Sequence, residues 1–146
     1  MINMEKNLPL KIQLLRPDAV IPTRKGDDVG LDLYACTIEK NEAGLLKVSC
    51  GIAIEMPRGF WAKIESRSSM AARGFAIQGG IIDNGYRGPI ICLLSYSGSD
   101  DPLTKISHGD KVAQLVIHKQ EDFDVEVVSH LSSTERGEKG FGSTGR

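Results

Sequence analysis

Cysteine is scarce in this sequence, and its spacing is not that of cross-links or metal sites. The three cysteines, Cys36, Cys50 and Cys92, show no CxxC spacing, and the three histidines show neither HxH nor HxxxH spacing. These spacings argue against a disulfide framework and against a zinc site. Each cysteine lies in or beside an apolar, strand-like segment, so we expect buried, reduced thiols.

Long hydrophobic segments and an excess of one charge are also absent. No apolar stretch approaches the roughly 20 residues that a membrane-spanning helix needs, and residues 1–7 lack the apolar core of a signal peptide. We therefore expect a cytoplasmic protein, or a nuclear one in a eukaryotic cell, that is neither secreted nor membrane-bound. The 18 basic and 19 acidic residues give a net charge of −1, which argues against nucleic acid as a partner. A small anionic ligand is compatible with this charge because it needs only local cations.

The composition otherwise favours one β-rich domain. The 146 residues, 40% of them hydrophobic, suffice for a domain with its own core. Sixteen glycines and six prolines are spread along the chain and separate short segments that alternate in polarity or are rich in Val and Ile. This pattern is typical of an all-β sandwich or barrel. Strands are predicted at residues 10–15, 45–56, 60–64, 89–94, 111–118 and 123–128.

Two local signals refine this picture. Residues 68–74 predict one short helix, with Ser68 at the N-cap and Gly74 at the C′ position. The Asn84-Gly85 pair is the strongest hairpin signal in the chain, and it predicts that residues 81–82 pair with residues 90–91.

The glycine-rich carboxyl terminus, residues 136–146, has the spacing of a phosphate loop but not its context. Gly137 and Gly142 match G-x-x-x-x-G, yet Ser143 stands where the lysine of that motif must be. The segment still offers a cation, free backbone N–H groups, hydroxyls and an aromatic ring. These are the parts of a mobile flap that closes over a phosphorylated, planar ligand. The alternative is a disordered, solubilising tail.

Polar groups in apolar surroundings mark further candidate sites. Arg67, Ser68 and Ser69 lie at the predicted helix start and could bind an anion; the alternative is an ordinary N-cap beside a surface arginine. Asp32 and Gln114 are single polar residues within apolar segments.

The glycine-rich residues 79–88 predict a close backbone approach to a ligand. A hairpin here could read the edge of one base, with Asp83 and Tyr86 beside the sugar. The alternative is ordinary turn chemistry with an edge aromatic.

Taken in order, these segments resemble the motifs of the trimeric dUTPase family. The resemblance rests on residues 30–35 (GLDLYA), 67–71 (RSSMA), 80–88 (GIIDNGYRG), 109–115 (GDKVAQL) and 136–145 (RGEKGFGSTG). It implies an all-β, barrel or jelly-roll domain over residues 1–135, with a mobile arm over residues 136–146 that closes over the active site. It also implies a homotrimer whose active sites are shared between subunits.

The implied reaction is Mg²⁺-dependent hydrolysis of dUTP to dUMP and pyrophosphate, by attack of water on the α-phosphorus. That reaction keeps uracil out of DNA and supplies dUMP for thymidylate synthesis. By the same resemblance, Asp83 is the general base, Tyr86 packs against the deoxyribose, and Asp32 supports the magnesium ion through water. The other substrate-binding residues implied are Arg67, Ser68, Ser69, Gly80, Ile81, Ile82, Asn84, Gly85, Ile91, Gln114, Arg136, Phe141, Gly142, Ser143 and Thr144.

Two positions depart from the family pattern. Ser69 stands where the family usually has glycine, and Gly85 stands where it often has an acid. Two other functions are compatible with the same residues: a dCTP deaminase or bifunctional relative on the same fold, and a non-catalytic nucleotide-sensing module.

Overall fold

The computed structural model describes residues 7–140, which form an all-β fold with one short α-helix. The elements are β1 (Lys11–Leu14), β2 (Leu31–Tyr34), β3 (Thr37–Lys40), β4 (Leu46–Ser49), β5 (Ile52–Glu55), β6 (Phe60–Glu65), α1 (Ser68–Ala72), β7 (Phe75–Gln78), β8 (Ile81–Ile82), β9 (Ile91–Tyr96) and β10 (Lys111–Lys119). The strands pair antiparallel in three sheets, with orders β1–β5, β2–β10–β6–β8 and β3–β4–β9–β7. The predicted all-β class and short helix are confirmed, although hydrogen bonds among the described residues do not join the strands into one closed barrel.

Alternation of apolar residues places the core between the sheets. Leu46 and Val48 of β4 are fully buried, and they lie directly opposite Leu94 and Cys92 of β9. Such cross-strand apolar pairs stabilise a sheet and fix its register. Every buried side chain in residues 7–140 is hydrophobic, so the polar groups of this domain lie at its surface or in its pockets.

A β-bulge in β10 interrupts this alternation. The register between β10 and β2 shifts between Lys111 and Ala113, and both Val112 and Ala113 are buried. In a regular strand, residues three apart point to opposite faces. Because the bulge resets the alternation, Lys111 and Gln114 line the same pocket.

Two predicted strands differ from the structure. The long segment 45–56 is two strands, β4 and β5, because the chain turns at Gly51, whose φ of 69° favours glycine. Residues 123–128 form no strand, and Phe123, Val125 and Val127 are at least 84% exposed. A strand needs a hydrogen-bonded neighbour, and none of the described residues provides one for this segment.

The predicted hairpin is also wrong. A turn is present, since the Tyr86 N–H donates to the Asp83 carbonyl at 3.0 Å. However, β8 pairs with β6, and Ile91 belongs to β9 in another sheet. Asn84 has no positive φ, so the mirror-image turn that closes a tight Asn-Gly hairpin does not form.

The helix start is shifted by one residue from the prediction. Arg67, rather than Ser68, is the N-cap, and it makes no side-chain capping bond to the described residues. Gly74 follows the helix with a φ of 93°, as predicted for the C′ position. Within residues 7–140, no helix is long and apolar enough to span a membrane.

Candidate active site

A cationic pocket of about 270 Å³ lies where β2, β10 and the start of α1 meet. It is lined by Lys25, Asp28, Asp32, Arg67, Ser68, Lys111 and Gln114. Three of these side chains are basic and two are acidic, which leaves one excess positive charge. We call this cavity the phosphate pocket, because its charge and its hydroxyl and amide groups suit an anion.

One carboxylate organises the phosphate pocket. Arg67 Nε donates to Asp32 Oδ1 at 3.2 Å, and Lys111 Nζ lies 3.5 Å from Asp32 Oδ2. The Asp32 and Arg67 side chains are only 24% and 27% exposed, so solvent screens this pair less than a surface ion pair. Asp32 therefore holds two cations at the mouth of the pocket, where both can also meet an anionic ligand.

The amide of Gln114 is fixed by its neighbours. Gln114 Nε2 donates to the Ser66 carbonyl at 3.0 Å. A Cβ atom at Gly30 would overlap Gln114 Oε1, so the glycine that opens the motif of residues 30–35 makes room for this amide. Ser69 is one of the two positions that depart from the motif the sequence resembles. Its Oγ accepts from Arg67 Nη1 at 3.3 Å, so the additional hydroxyl helps to hold the guanidinium of the phosphate pocket.

A second cavity, of about 250 Å³, lies between β8 and β9. We call it the base pocket. Its lining is mostly apolar or backbone and includes Gly80, Ile81, Ile82, Asp83, Tyr86 and Ile91, together with Ile64, Gln78, Gly79, Pro89 and Leu93.

Open backbone edges face the base pocket. Among the strands of residues 7–140, β8 is an edge strand, since it pairs only with β6. β7 pairs with β9 from Leu93 to Tyr96 only, so Ile91 has an open side beyond the end of β7. An open strand edge presents fixed N–H and C=O groups, which can pair with the polar edge of a planar heterocycle.

Hydrogen bonds from two of its side chains fix the turn that carries Asp83 and Tyr86. Tyr86 Oη donates to the Pro89 carbonyl at 2.8 Å, and the ring packs over Gly88. Asn84 Nδ2 donates to the carbonyls of Pro57 and Phe60, both at 2.9 Å. The Tyr86 ring is therefore fixed beside the exposed carboxylate of Asp83.

Gly80 is the position where this geometry depends most on glycine. Its φ is 113°, and a Cβ atom would lie 2.8 Å from the Ile64 carbonyl oxygen. We expect Gly80→Ala to destabilise the fold by at least the roughly 1–3 kcal/mol of such backbone strain, measured by denaturant unfolding at fixed protein concentration. Gly85→Ala is the matched control, because Gly85 has no positive φ and a Cβ atom added there would meet no described atom within 4 Å. Equal stability of the two variants would contradict this account.

Most of the predicted site residues fall into these two pockets. Arg67, Ser68, Gln114 and Asp32 line the phosphate pocket, while the base pocket collects Asp83, Tyr86 and the β8 and β9 residues. The two pockets have no described lining residue in common. The Asn84 side chain points to Pro57 and Phe60, and neither Asn84 nor Gly85 lines the base pocket.

Of the carboxyl-terminal residues predicted for the site, the structure describes only Arg136, which lines neither pocket. Arg136 bonds locally, with Nε donating to the Lys139 carbonyl at 2.9 Å. Phe141, Gly142, Ser143 and Thr144 lie outside the described residues.

The structure adds Lys25, Asp28 and Lys111, which sequence reasoning missed, to the phosphate pocket. The sequence could have indicated both lysines, because Lys111 lies within the motif of residues 109–115 and Lys25 lies in a charged loop just before Gly30.

The family model for dUTPase matches residues 17–145. This chain belongs to the dUTPase family. It is 46% identical over 122 residues to a deoxyuridine 5'-triphosphate nucleotidohydrolase of Anaplasma marginale (strain St. Maries), which covers 80% of this chain and 82% of that protein. It is 39% identical over 145 residues to the enzyme of the same name from Yarrowia lipolytica, which covers 94% of this chain and 90% of that one.

A solved dUTPase has the same fold. A variant of the dUTPase of Staphylococcus bacteriophage 80alpha, in complex with dUpNHpp, matches with a TM-score of 0.81 and 25% identity, over 94% of this chain and 99% of that one. The dUTPase-family fold therefore extends over the β-sheets that form both pockets.

Proposed function

We propose that this chain hydrolyses dUTP to dUMP and pyrophosphate, the activity for which its relatives are named. The observation that carries the proposal is the pair of pockets in a dUTPase-family chain. One pocket is cationic and suits a triphosphate, and the other is apolar, edged by open backbone groups and flanked by a carboxylate.

The base pocket accounts for uracil and deoxyribose selection. The fixed backbone groups beside Ile81 and Ile91 match one arrangement of donors and acceptors, so cytosine would leave buried polar groups unpaired. The Tyr86 ring is fixed by its bond to the Pro89 carbonyl. A rigid ring against the sugar leaves no room for a 2′-hydroxyl, and this excludes ribonucleotides sterically.

Asp83 acts as the general base. It is the carboxylate that lines the base pocket, and its exposure lets a water molecule approach it. Removing a proton from that water directs the oxygen to the α-phosphorus, and the pyrophosphate group leaves. The chain thereby positions the water and the triphosphate and accepts a proton, and it forms no covalent intermediate with the substrate.

Residues of the phosphate pocket hold the triphosphate. Arg67, Ser68, Lys111 and Gln114 line the pocket and supply donors to the triphosphate oxygens. Ser69 does not line the pocket but contacts Arg67, and its hydroxyl adds a further donor. Asp28 and Asp32 offer the carboxylate oxygens that suit Mg²⁺. Both Asp32 oxygens already contact cations, so these acids would hold the ion through its water shell. When bound with the nucleotide, Mg²⁺ supplies charge neutralisation on the phosphate oxygens.

Arg67→Lys tests whether the guanidinium fork matters beyond its charge. A lysine cannot donate to Asp32 and a phosphate in the same planar geometry. We expect KM for dUTP to rise by about 10–100-fold, the range for losing one or two charged hydrogen bonds, with a smaller change in kcat. Arg24→Lys is the control, because Arg24 lines neither pocket. An unchanged KM in Arg67→Lys would contradict the assignment.

We further propose a homotrimer in which each active site combines residues of different subunits. The described linings of the base and phosphate pockets do not overlap, so one chain presents two half-sites. Residues 121–140 are exposed throughout, and Phe123, Val125 and Val127 alternate as in a strand with one apolar face. Such a segment suits the surface of a neighbouring subunit. It would carry residues 136–146 to that neighbour, where Arg136, Phe141, Gly142, Ser143 and Thr144 close over the nucleotide.

Product analysis across dUTP, dCTP, dTTP and UTP tests the proposed reaction. We expect pyrophosphate and dUMP from dUTP, with little product from the other three nucleotides. Ammonia released from dCTP would identify a deaminase or a bifunctional enzyme. Tight dUTP binding without pyrophosphate release would identify a non-catalytic sensor.

A further inference from the structure

A cluster of metal-ligating side chains lies away from both pockets. Within residues 7–140, one group of at least three such residues brings its ligand atoms within 4.8 Å of one another: Asp18, Cys36 and His108. These three residues line neither the base pocket nor the phosphate pocket. We propose that this cluster is a binding site for a divalent metal ion of the zinc class.

The ligand chemistry favours zinc over magnesium. A thiolate, an imidazole and a carboxylate are the ligand types that Zn²⁺ takes, whereas Mg²⁺ prefers oxygen ligands and retains its water. A bound Zn²⁺ would neutralise the Cys36 thiolate and would share the Asp18 carboxylate with Arg16. Three protein ligands leave a fourth position for water or another small ligand.

The observed separations are close to those of tetrahedral coordination, although Cys36 and His108 contact different oxygens of Asp18. Zn–S bonds of about 2.3 Å and Zn–N or Zn–O bonds of about 2.0–2.1 Å place neighbouring ligand atoms about 3.3–3.6 Å apart in a tetrahedron. Cys36 Sγ lies 3.5 Å from Asp18 Oδ1, and His108 Nε2 lies 3.6 Å from Asp18 Oδ2. Since all three ligand atoms lie within 4.8 Å of one another, side-chain rotations that bring Cys36 Sγ and His108 Nε2 toward the same Asp18 oxygen would complete the site.

The backbone around the ligands is fixed. The Cys36 N–H donates to the Ser49 carbonyl at 2.8 Å, and the Gly109 N–H, next to His108, donates to the Ala35 carbonyl at 2.8 Å. A Cβ atom at Gly51 would lie 3.0 Å from Cys36 Sγ, so glycine there leaves space for the thiol. Two of the ligands are thus held beside the end of β2.

Arg16 completes the surroundings of the cluster. Its Nε donates to Asp18 Oδ1 at 3.1 Å, and this contact lowers the pKa of the Asp18 carboxyl. Oδ2, the oxygen nearer His108, remains for a metal. Burial raises the pKa of the Cys36 thiol, so binding must displace its proton, as thiophilic metals do.

Without a metal, the same residues form a hydrogen-bonded clamp. His108 Nε2 lies 2.9 Å from the Asp18 carbonyl oxygen and can donate to it. Metal binding requires the other tautomer, with the proton on Nδ1, because a metallated Nε2 carries no proton. The two assignments also differ at Cys36: in the clamp its thiol makes one weak bond, from Sγ to Asp18 Oδ1 at 3.5 Å, whereas the metal site needs its thiolate as a ligand.

Cobalt(II) is the probe that separates these assignments. The full-length protein is stripped with a chelator, kept reduced, and titrated with Co²⁺ in excess Mg²⁺ and without nucleotide. We expect one Co²⁺ per chain, with the thiolate-to-cobalt charge-transfer absorption and the intense visible bands of tetrahedral cobalt. Zn²⁺ should displace it and raise the melting temperature by several degrees at concentrations well above its Kd.

Matched variants assign the ligands. Cys36→Ala should abolish the charge-transfer absorption, whereas Cys92→Ala, which removes another buried thiol, should retain it. His108→Gln should weaken binding by more than the roughly 10–100-fold that loss of an outer partner costs, and His130→Gln should not. Absence of the charge-transfer band in the wild type, or its persistence in Cys36→Ala, would overturn the proposal in favour of the clamp. Circular dichroism checks folding, and His108, which is exposed, provides a test independent of core packing.

Discussion

Asp83→Asn is expected to lower dUTP turnover by about 10²–10⁴-fold, the usual effect of removing a positioned general base. Asparagine has nearly the shape of aspartate but cannot accept the proton from the attacking water. Nucleotide binding should persist, because the base and phosphate pockets keep their other residues. Single-turnover pyrophosphate release, together with a direct binding measurement, separates the two effects.

Glu42→Gln is the control for this substitution. Glu42 is an exposed carboxylate in the turn between β3 and β4, and its neutralisation should leave turnover unchanged. If Asp83→Asn turned over dUTP at a near-normal rate, the base would lie elsewhere, although the pockets could still bind nucleotide.

The second expected result concerns mixed trimers. Asp83→Asn and a chain that lacks residues 136–146 should each be nearly inactive alone, because one lacks the base and the other lacks the arm. Co-refolding them should restore activity, since the intact Asp83 of a truncated chain can meet the intact arm of another subunit. With random equal mixing, each site has about one chance in four of receiving both, so activity should return to roughly a quarter of wild type.

The interpretation depends on showing that mixed trimers form, for example by native mass spectrometry. If they form and no activity returns, the base and the arm act within one chain, and the shared-site proposal is wrong. A truncated chain that fails to fold would instead show that residues 136–146 stabilise the subunit.

Local patterns predicted most of the strands correctly. Residues 60–64 are mostly apolar and aromatic, and residues 111–118 are rich in Val and Ile; they form β6 and β10 almost at the predicted bounds. The motifs also identified most residues of both pockets, because polar or glycine-rich positions in apolar surroundings are distinctive. Predictions of strands and pocket residues from local sequence were therefore reliable where the structure of a segment does not depend on which distant strand pairs with it.

The errors arose where the outcome depends on distant partners. The Asn84-Gly85 pair predicts a hairpin, but its flanking strands bind β6 and β4, which sequence spacing does not reveal. Residues 123–128 have strand alternation without a neighbour among the described residues. Cys36 and His108 lie 72 positions apart (108 minus 36) yet their ligand atoms lie within 4.8 Å, so no spacing rule could connect them.

The division of the base pocket between two sheets links nucleotide choice to the interior of the protein. Ile82 and Ile90 flank the Asp83 turn and are both part of the hydrophobic core, which also contains Ile64 and Leu94. The width of the pocket is therefore set by how closely the two sheets pack, rather than by a single hairpin. A methyl group added to or removed from that layer changes the spacing of the open backbone edges of β8 and β9, which we propose bind the base. Mutations at positions that never touch the nucleotide can therefore change how well the pocket discriminates between bases. Natural selection for that discrimination then also acts on how tightly the residues between the two sheets pack.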